Sequence, residues 1–303
     1  MNYLVELVRK NGLLTGIYIL SGISIAFLSN FNANYFQHLI DRFSAGTLKV
    51  SGIIIYGMIL IAVCVLNYLD EYPGRSLEHG IFLDLKLKAL KKISKIDYRI
   101  YQKMGTGKRL QRIENGAAAG KGILFDFIFC LLRQLIPSIA FSMVFIYRIN
   151  KKVMLIILAG YAAVFIITNL LLKVLYKIKE HILSNEEKMN HFLVRGFMEM
   201  VVFRLNKRFK YEIEKAEGAK KEITSSKVKM TLIHEAFFAL FAFMVIMIKI
   251  SVIVYGWMTD ALSIGAVVAL LLLVDNAYTP VAVFNVLFVQ YKLDKTRIYI
   301  MPI

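Results

Sequence analysis

Four ionisable residues stand inside long apolar runs of this chain: Asp126 and Arg133 in one run, Lys249 in a second and Asp275 in a third. Placing a charge in hydrocarbon is costly unless it is paired or wet, so each marks a candidate solute path or an ion pair. Asp126 and Arg133 are seven residues apart, two turns of an α-helix, which would set them on one face. Arg133 and Asp275 lie near the middle of their runs. Their depths suit an ion pair or opposite walls of a water-filled cavity, and both arrangements stay open. Asp126, Arg133 and Asp275 are the candidate solute path. Lys249 stands close to the outer end of its run, where its stem could snorkel to the interface. Pro280, following Thr279, removes a helix hydrogen bond and predicts a kink at which an inner gate could bend.

A second candidate is the stretch NGAAAGKG, Asn115 to Gly122, which approaches a phosphate-binding loop. Such a loop needs four residues between its first Gly and the Gly-Lys pair, then a hydroxyl for magnesium, presented by a strand. Here Gly116 and Gly120 enclose only Ala117 to Ala119, Gly122 stands where the hydroxyl belongs, and an amphipathic helical run precedes. The small residues suit close helix packing instead. His38, His79, His181, His191 and His234 show no metal-ligand spacing, and HEAFF at His234 lacks the second histidine of a zinc-protease helix. No serine or cysteine nucleophile stands with a base, so no catalytic set, metal site or bound cofactor is assigned.

The elements that must carry these residues follow from composition. The chain has 303 residues, 58% of them hydrophobic and 19% charged, with a mean hydropathy of +0.59, which describes a membrane protein. A hydrocarbon core of ~30 Å needs about 20 apolar helical residues. Six segments qualify: about 12–31, 52–69, 122–147, 152–176, 236–257 and 262–289. They lack the period-two alternation of a barrel, so the bundle is helical. The first is read as a retained span, because its apolar run is too long for a signal peptide and no cleavage pattern follows. Cys64 and Cys130 sit within apolar runs and imply packing rather than a disulfide.

Long Lys-rich segments follow spans two and four, whereas the connections after spans three and five are short. The formal charge of +17 concentrates in the long segments, with Lys86, Lys88, Lys91 and Lys92 in the first and Lys207, Arg208, Lys210 and Lys215 in the second. Basic connections stay on the cytoplasmic side, which predicts both arms and both termini there, although Arg148, Lys151 and Lys152 in a short outer loop run against the rule. Leu83, Leu87, Leu90, Ile93, Ile96 and Ile100 recur at helical spacing and predict that span two continues unbroken into arm one with this stripe as its apolar face. Gly105 and Gly107 then predict a break. Arm two is predicted to turn between Glu199 and Lys207.

With this pattern in place, the chain resembles the transmembrane domain of ABC exporters. In GWMTDALSIGAVVALLLLVDNAYTPVAVFNVLFVQYKLDKTRI, the residues Leu262, Ser263, Gly265, Pro280, Arg297 and Ile298 carry the likeness; in arm one Tyr98, Tyr101, Gly107, Arg112 and Ile113 do. The resemblance implies an all-α membrane protein with six transmembrane helices and two long cytoplasmic helical extensions, spanning 1–298 with a tail at 299–303. It implies coupling to an ATPase domain through Asp97, Tyr98, Arg99, Ile100 and Tyr101 on arm one. On arm two the coupling residues would be Phe197, Met198, Glu199, Met200, Val201, Val202, Phe203 and Arg204, where the family often has Gly-Ile followed by Val-Lys. It implies a second six-span half, identical or different, in the plasma membrane. Alternating access would move an amphipathic solute, a lipid or a peptide. The ATPase domain that would follow Ile298 is not in these residues, so ATP and Mg are expected on a partner domain or subunit, and no nucleic-acid partner is expected. Two other readings stand beside this one: an ion-coupled secondary transporter or channel, and a non-transporting remnant or regulatory membrane subunit.

Overall fold

The computed structural model describes residues 2–95 and 106–300, and among them the regular elements are helices. The first three are α1 (Asn2–Lys10), α2 (Gly12–Ser44) and α3 (Val50–Ile93). Next, α4 (Thr106–Lys121) runs through two π-helical segments, Gly122–Phe129 and Leu131–Leu135, into α5 (Ile136–Ile149). The remainder are α6 (Lys151–Met198), α7 (Met200–Leu205), α8 (Phe209–Thr259) and α9 (Ile264–Ile300).

Among the described residues five helical stretches are long and apolar enough to cross a membrane: Gly12–Ser44, Val50–Ile93, Ile113–Ile149, Phe209–Thr259 and Ile264–Lys295. They contain the predicted spans one, two, three and five and all of span six except its first two residues. The predicted fourth span falls within α6, where the side chains of residues 167–173 lie outside the described set. The chain is an all-α membrane protein. Its α3, α6 and α8 have 44, 48 and 51 residues, which at 1.5 Å per residue gives rods of about 66, 72 and 76 Å against a hydrocarbon core of ~30 Å. Each therefore extends well beyond any bilayer it crosses, and α3 carries span two into its arm as one helix as far as Ile93.

Short connections between the rods have local causes. The Asn150 side chain caps α6 by accepting from the N–H groups of Lys152 and Val153 at 2.9 and 3.1 Å. Gly46, at φ +66°, turns the chain between α2 and α3, and Asp260 ends α8 in the left-handed region at φ +46°. At the start of α9 the Ser263 hydroxyl accepts from the Ala266 N–H and donates to Asp41 of α2, whose other oxygen accepts from the Gly265 N–H at 3.0 Å. A Cβ at Gly265 would collide with the Gln37 carbonyl. Glycine at this position lets α9 lie directly on α2.

Two large apolar cores result among the described residues, beside a small cluster at Val289 and Leu293. One lies between α5, α6, α8 and α9 around Ile146, Val153, Ile157, Val252, Leu270 and Val274. The other seats α1 on arm one, with Leu4 and Leu7 against Leu77, Ile81, Leu85 and Ala89 of α3 and Ala117 and Ile123 from the next rod. Lys10 pairs with Asp84 at 2.9 Å and Lys88 with Glu6 at 2.5 Å across the same contact. The sequence had suggested the other face of α3, yet Leu83, Leu87 and Leu90 are exposed. The row ending in Ala89 is the one that small residues can approach closely. Gly107 lies inside the first turn of α4 instead of breaking the helix; Gly105, Ile96 and Ile100 lie outside the described residues.

The NGAAAGKG stretch is continuous helix, the last turns of α4 and the first residue of the π segment. Ala117 and Ala119 are buried, and α4 packs on both α3 and α9. Its backbone N–H groups are used within the helix, so they cannot cradle a phosphate.

Candidate functional site

A cavity of about 460 Å³ opens between α2, α3, the second π segment with α5, and α9. Small-molecule sites commonly fall at ~300–1,000 Å³. Its wall is about half polar: Ser29, Asn67, Arg133, Gln134, Ser138, Asp275, Asn276 and Thr279 stand beside Gly22, Ile25, Ala26 and Pro280. Arg133 and Asp275 thus line one cavity, and they are not paired with each other.

Arg133 is held by Asp70 of α3, whose second oxygen accepts from the Ser21 hydroxyl of α2. The guanidinium also donates to the Tyr18 hydroxyl at 2.6 Å and lies 4.1 Å above the Tyr18 ring. Such stacking adds to the ion pair where water is scarce. The Arg133 stem crosses α2 at Gly22, where a Cβ would occupy its place. Asp275 pairs with Lys249 of α8, which reaches both carboxylate oxygens at 2.6 and 2.7 Å. Lys249 therefore bridges α8 to α9 and does not snorkel. Ionisable side chains inside a bundle generally pair with one another, which is the alternative to stretching towards water.

Asp126 belongs to a different place. Its carboxylate meets Lys121 at 3.3 Å, and Lys121 meets Glu78 of α3 at 3.2 Å. Nearby, Gly122 packs directly on the Asp294 carboxylate of α9, leaving no room for a Cβ, and Gln290 donates to Asp294 at 2.8 Å while accepting from Lys179 of α6 at 2.7 Å. The shared face expected for Asp126 and Arg133 fails because both lie in π-helix. Bonding from i to i+5 widens each turn, so seven residues no longer make two full turns.

Pro280 lies within α9 and lines the cavity. Around it α9 is tied to its neighbours by polar bonds: Ser138 donates to the Asn276 carbonyl at 2.7 Å, and Tyr278 to the Ile157 carbonyl of α6 at 2.8 Å. Ser142 donates to buried Asn30 at 2.6 Å.

At the far end of α6 and α8, the short helix α7 caps the second arm. Arg195 pairs with Glu199 at 3.2 Å and with Glu212 at 3.6 Å, and Glu186 with Lys227 at 2.7 Å. Phe203 is buried, edge-on to Phe209 and beneath the Arg195 guanidinium. The end of α6 and the anchored α7 together turn apolar side chains outward: Phe197 and Met198 of α6 and Val201 and Leu205 of α7 are 75%, 73%, 69% and 79% exposed. Of the arm-two residues singled out in sequence, Phe203 is thus an anchor and Glu199 a partner of Arg195. Asp97, Tyr98, Arg99, Ile100 and Tyr101 lie outside the described residues.

Residues 15–279 match the family of the ABC transporter transmembrane region. The chain belongs to that family. No curated protein matches it in sequence. As an ABC transporter transmembrane region it forms the multi-pass membrane part of an ABC-type transporter, and this membership implies ATPase partners in general.

Within this ABC transmembrane region, sequence reading missed Asp70, Tyr18 and Ser21 as neighbours of Arg133. Asp70 falls one residue beyond the predicted second span, and an acid at the end of an apolar run was the available signal. It also missed α1, which Leu4 and Leu7 with Glu6, Arg9 and Lys10 could have marked as amphipathic before the Asn11-Gly12 break.

Proposed function

We propose that this transmembrane region is one six-span half of an exporter, working as a pair of halves in the plasma membrane with arms and both termini in the cytoplasm. ATPase domains, on another polypeptide or a continuation of this one, would bind ATP and Mg and drive the exchange between inward- and outward-open states. The solute would be an amphipathic molecule, a lipid or a peptide, passing through the cavity lined by Arg133 and Asp275.

The observation that carries this reading is the α7 tip. Two rods of 48 and 51 residues end together on a six-residue helix that is anchored from below and apolar outside. Stiff extensions transmit rigid-body motion where loops would absorb it, and an exposed apolar tip among lysines is a docking surface rather than a solvated turn. Orientation rests on the concentration of Lys and Arg in the arms. A paired half is supported by the exposed Leu83, Leu87 and Leu90 row on arm one, which the described residues of one chain leave uncovered.

The test is co-purification of the solubilised full chain with candidate ABC ATPase subunits. Wild type is expected to retain an ATPase protein. Val201→Ser with Leu205→Ser on arm two, and Tyr98→Ala with Tyr101→Ala on arm one, are expected to lose it while eluting normally in size exclusion. Wild type that captures none, or variants that bind undiminished, would overturn the coupling role.

A further inference from the structure

The two charges on the cavity wall are not equivalent. Arg133 is enclosed: Asp70 and Tyr18 take its terminal nitrogens, Tyr18 covers its face, and its side chain is 21% exposed beside an acid that is 7% exposed. Its charge is cancelled where it stands. Asp275 is open, with half of its side chain exposed, and Lys249 approaches it from α8 without lining the cavity itself. Seen from inside, the cavity presents a carboxylate together with the amides of Asn67, Gln134 and Asn276 and the hydroxyl of Thr279.

A carboxylate held by one ammonium has lone pairs left for a second donor. An incoming cation can share Asp275 or displace Lys249. An anion would meet an acid at the accessible site and find Arg133, the one cation among the described lining residues, already paired. The amides supply donors and acceptors for a polar body, and the absence of aromatic side chains from the lining disfavours flat apolar molecules.

We propose that, of the solute classes named above, the cavity selects a short polar peptide carrying one cationic group, an ammonium or guanidinium, which binds Asp275 in exchange for Lys249. This rests on the cavity being the solute path and names the class of solute. Lys249 is then an internal competitor. It keeps the empty site neutral and leaves Asp275 when solute arrives. Because Lys249 belongs to α8, the exchange also removes a tie between α9 and the rod that reaches the α7 tip.

The test uses the full chain in lipid nanodiscs at neutral pH and three blocked tripeptides, N-acetyl-Ala-X-Ala-amide with X as Lys, Ala or Glu, titrated by calorimetry. The Lys peptide is expected to bind tightest. Asp275→Asn is expected to weaken it about tenfold or more, the scale of a charge-assisted hydrogen bond, and to leave the Ala peptide unchanged. Lys249→Met is expected to strengthen Lys-peptide binding, a gain that misfolding cannot produce. Equal or tighter binding of the Glu peptide, an unaltered Asp275→Asn, a weaker Lys249→Met, or no binding of any peptide to wild type overturns the proposal. ATPase co-purification is independent of all three peptides, so loss of the transporter reading and loss of this solute class are separate outcomes.

Discussion

At the scale of single residues the bundle is pinned by polar groups that hydrocarbon makes expensive to leave alone. Arg133 and Asp70 illustrate the asymmetry: removing one partner strands the other charge, while replacing both with apolar residues strands neither. Arg133→Leu is expected to destabilise the protein by about 3–5 kcal/mol, and Arg133→Met with Asp70→Leu to recover most of it. Thermal unfolding in detergent measures both. Glycine makes a second contrast. A methyl at Gly265 meets the Gln37 backbone, whereas one at Gly57 meets nothing. Gly265→Ala should therefore cost about 1–3 kcal/mol by overpacking, and Gly57→Ala should be neutral or slightly stabilising in the same assay. The Leu-Ser-x-Gly pattern at 262–265 was legible as a resemblance, but its reason was not. Only the approach of Asp41 and Gln37 explains why a hydroxyl and a bare backbone stand there.

Among the elements, the rods were readable and their faces were not. Length and apolar content gave α2, α3, α8 and α9, because a helix that crosses lipid must satisfy its backbone within itself. Which face of arm one is buried depended on α1 and on the small side of α4, and neither is visible from the periodicity of α3 alone. The π segments likewise moved Asp126 and Arg133 apart. Caps act at this scale too. Asn150 supplies the acceptor for two orphan N–H groups of α6, so Asn150→Ala should lower stability by about 1 kcal/mol, read as a small fall in melting temperature against the same detergent reference.

For the whole molecule, the uncovered row on arm one makes a prediction about assembly. In a background with Cys64 and Cys130 changed to serine, Leu87→Cys is expected to form a covalent dimer under mild oxidation in membranes if two copies of this chain pair. A purely monomeric band, with a dimer restored by co-expressing a different half, would assign a heterodimer. The cavity and the tip are joined in the same framework, since α8 runs unbroken from beside α7 to Lys249 and beyond.

The sequence by itself determined that this protein is a helical membrane protein and an ABC transporter transmembrane region, because apolar run length, basic arms and the last-span pattern are local properties of the chain. It also excluded a phosphate loop at Asn115 to Gly122, since spacing and the missing hydroxyl are one-dimensional facts. Only the tertiary structure decided the partners: Asp70 for Arg133, Lys249 for Asp275, Lys121 for Asp126. Ion pairs inside a bundle are set by which faces meet and at what depth, and those depend on helix rotation, on the widened π turns and on where glycine lets one backbone rest against another.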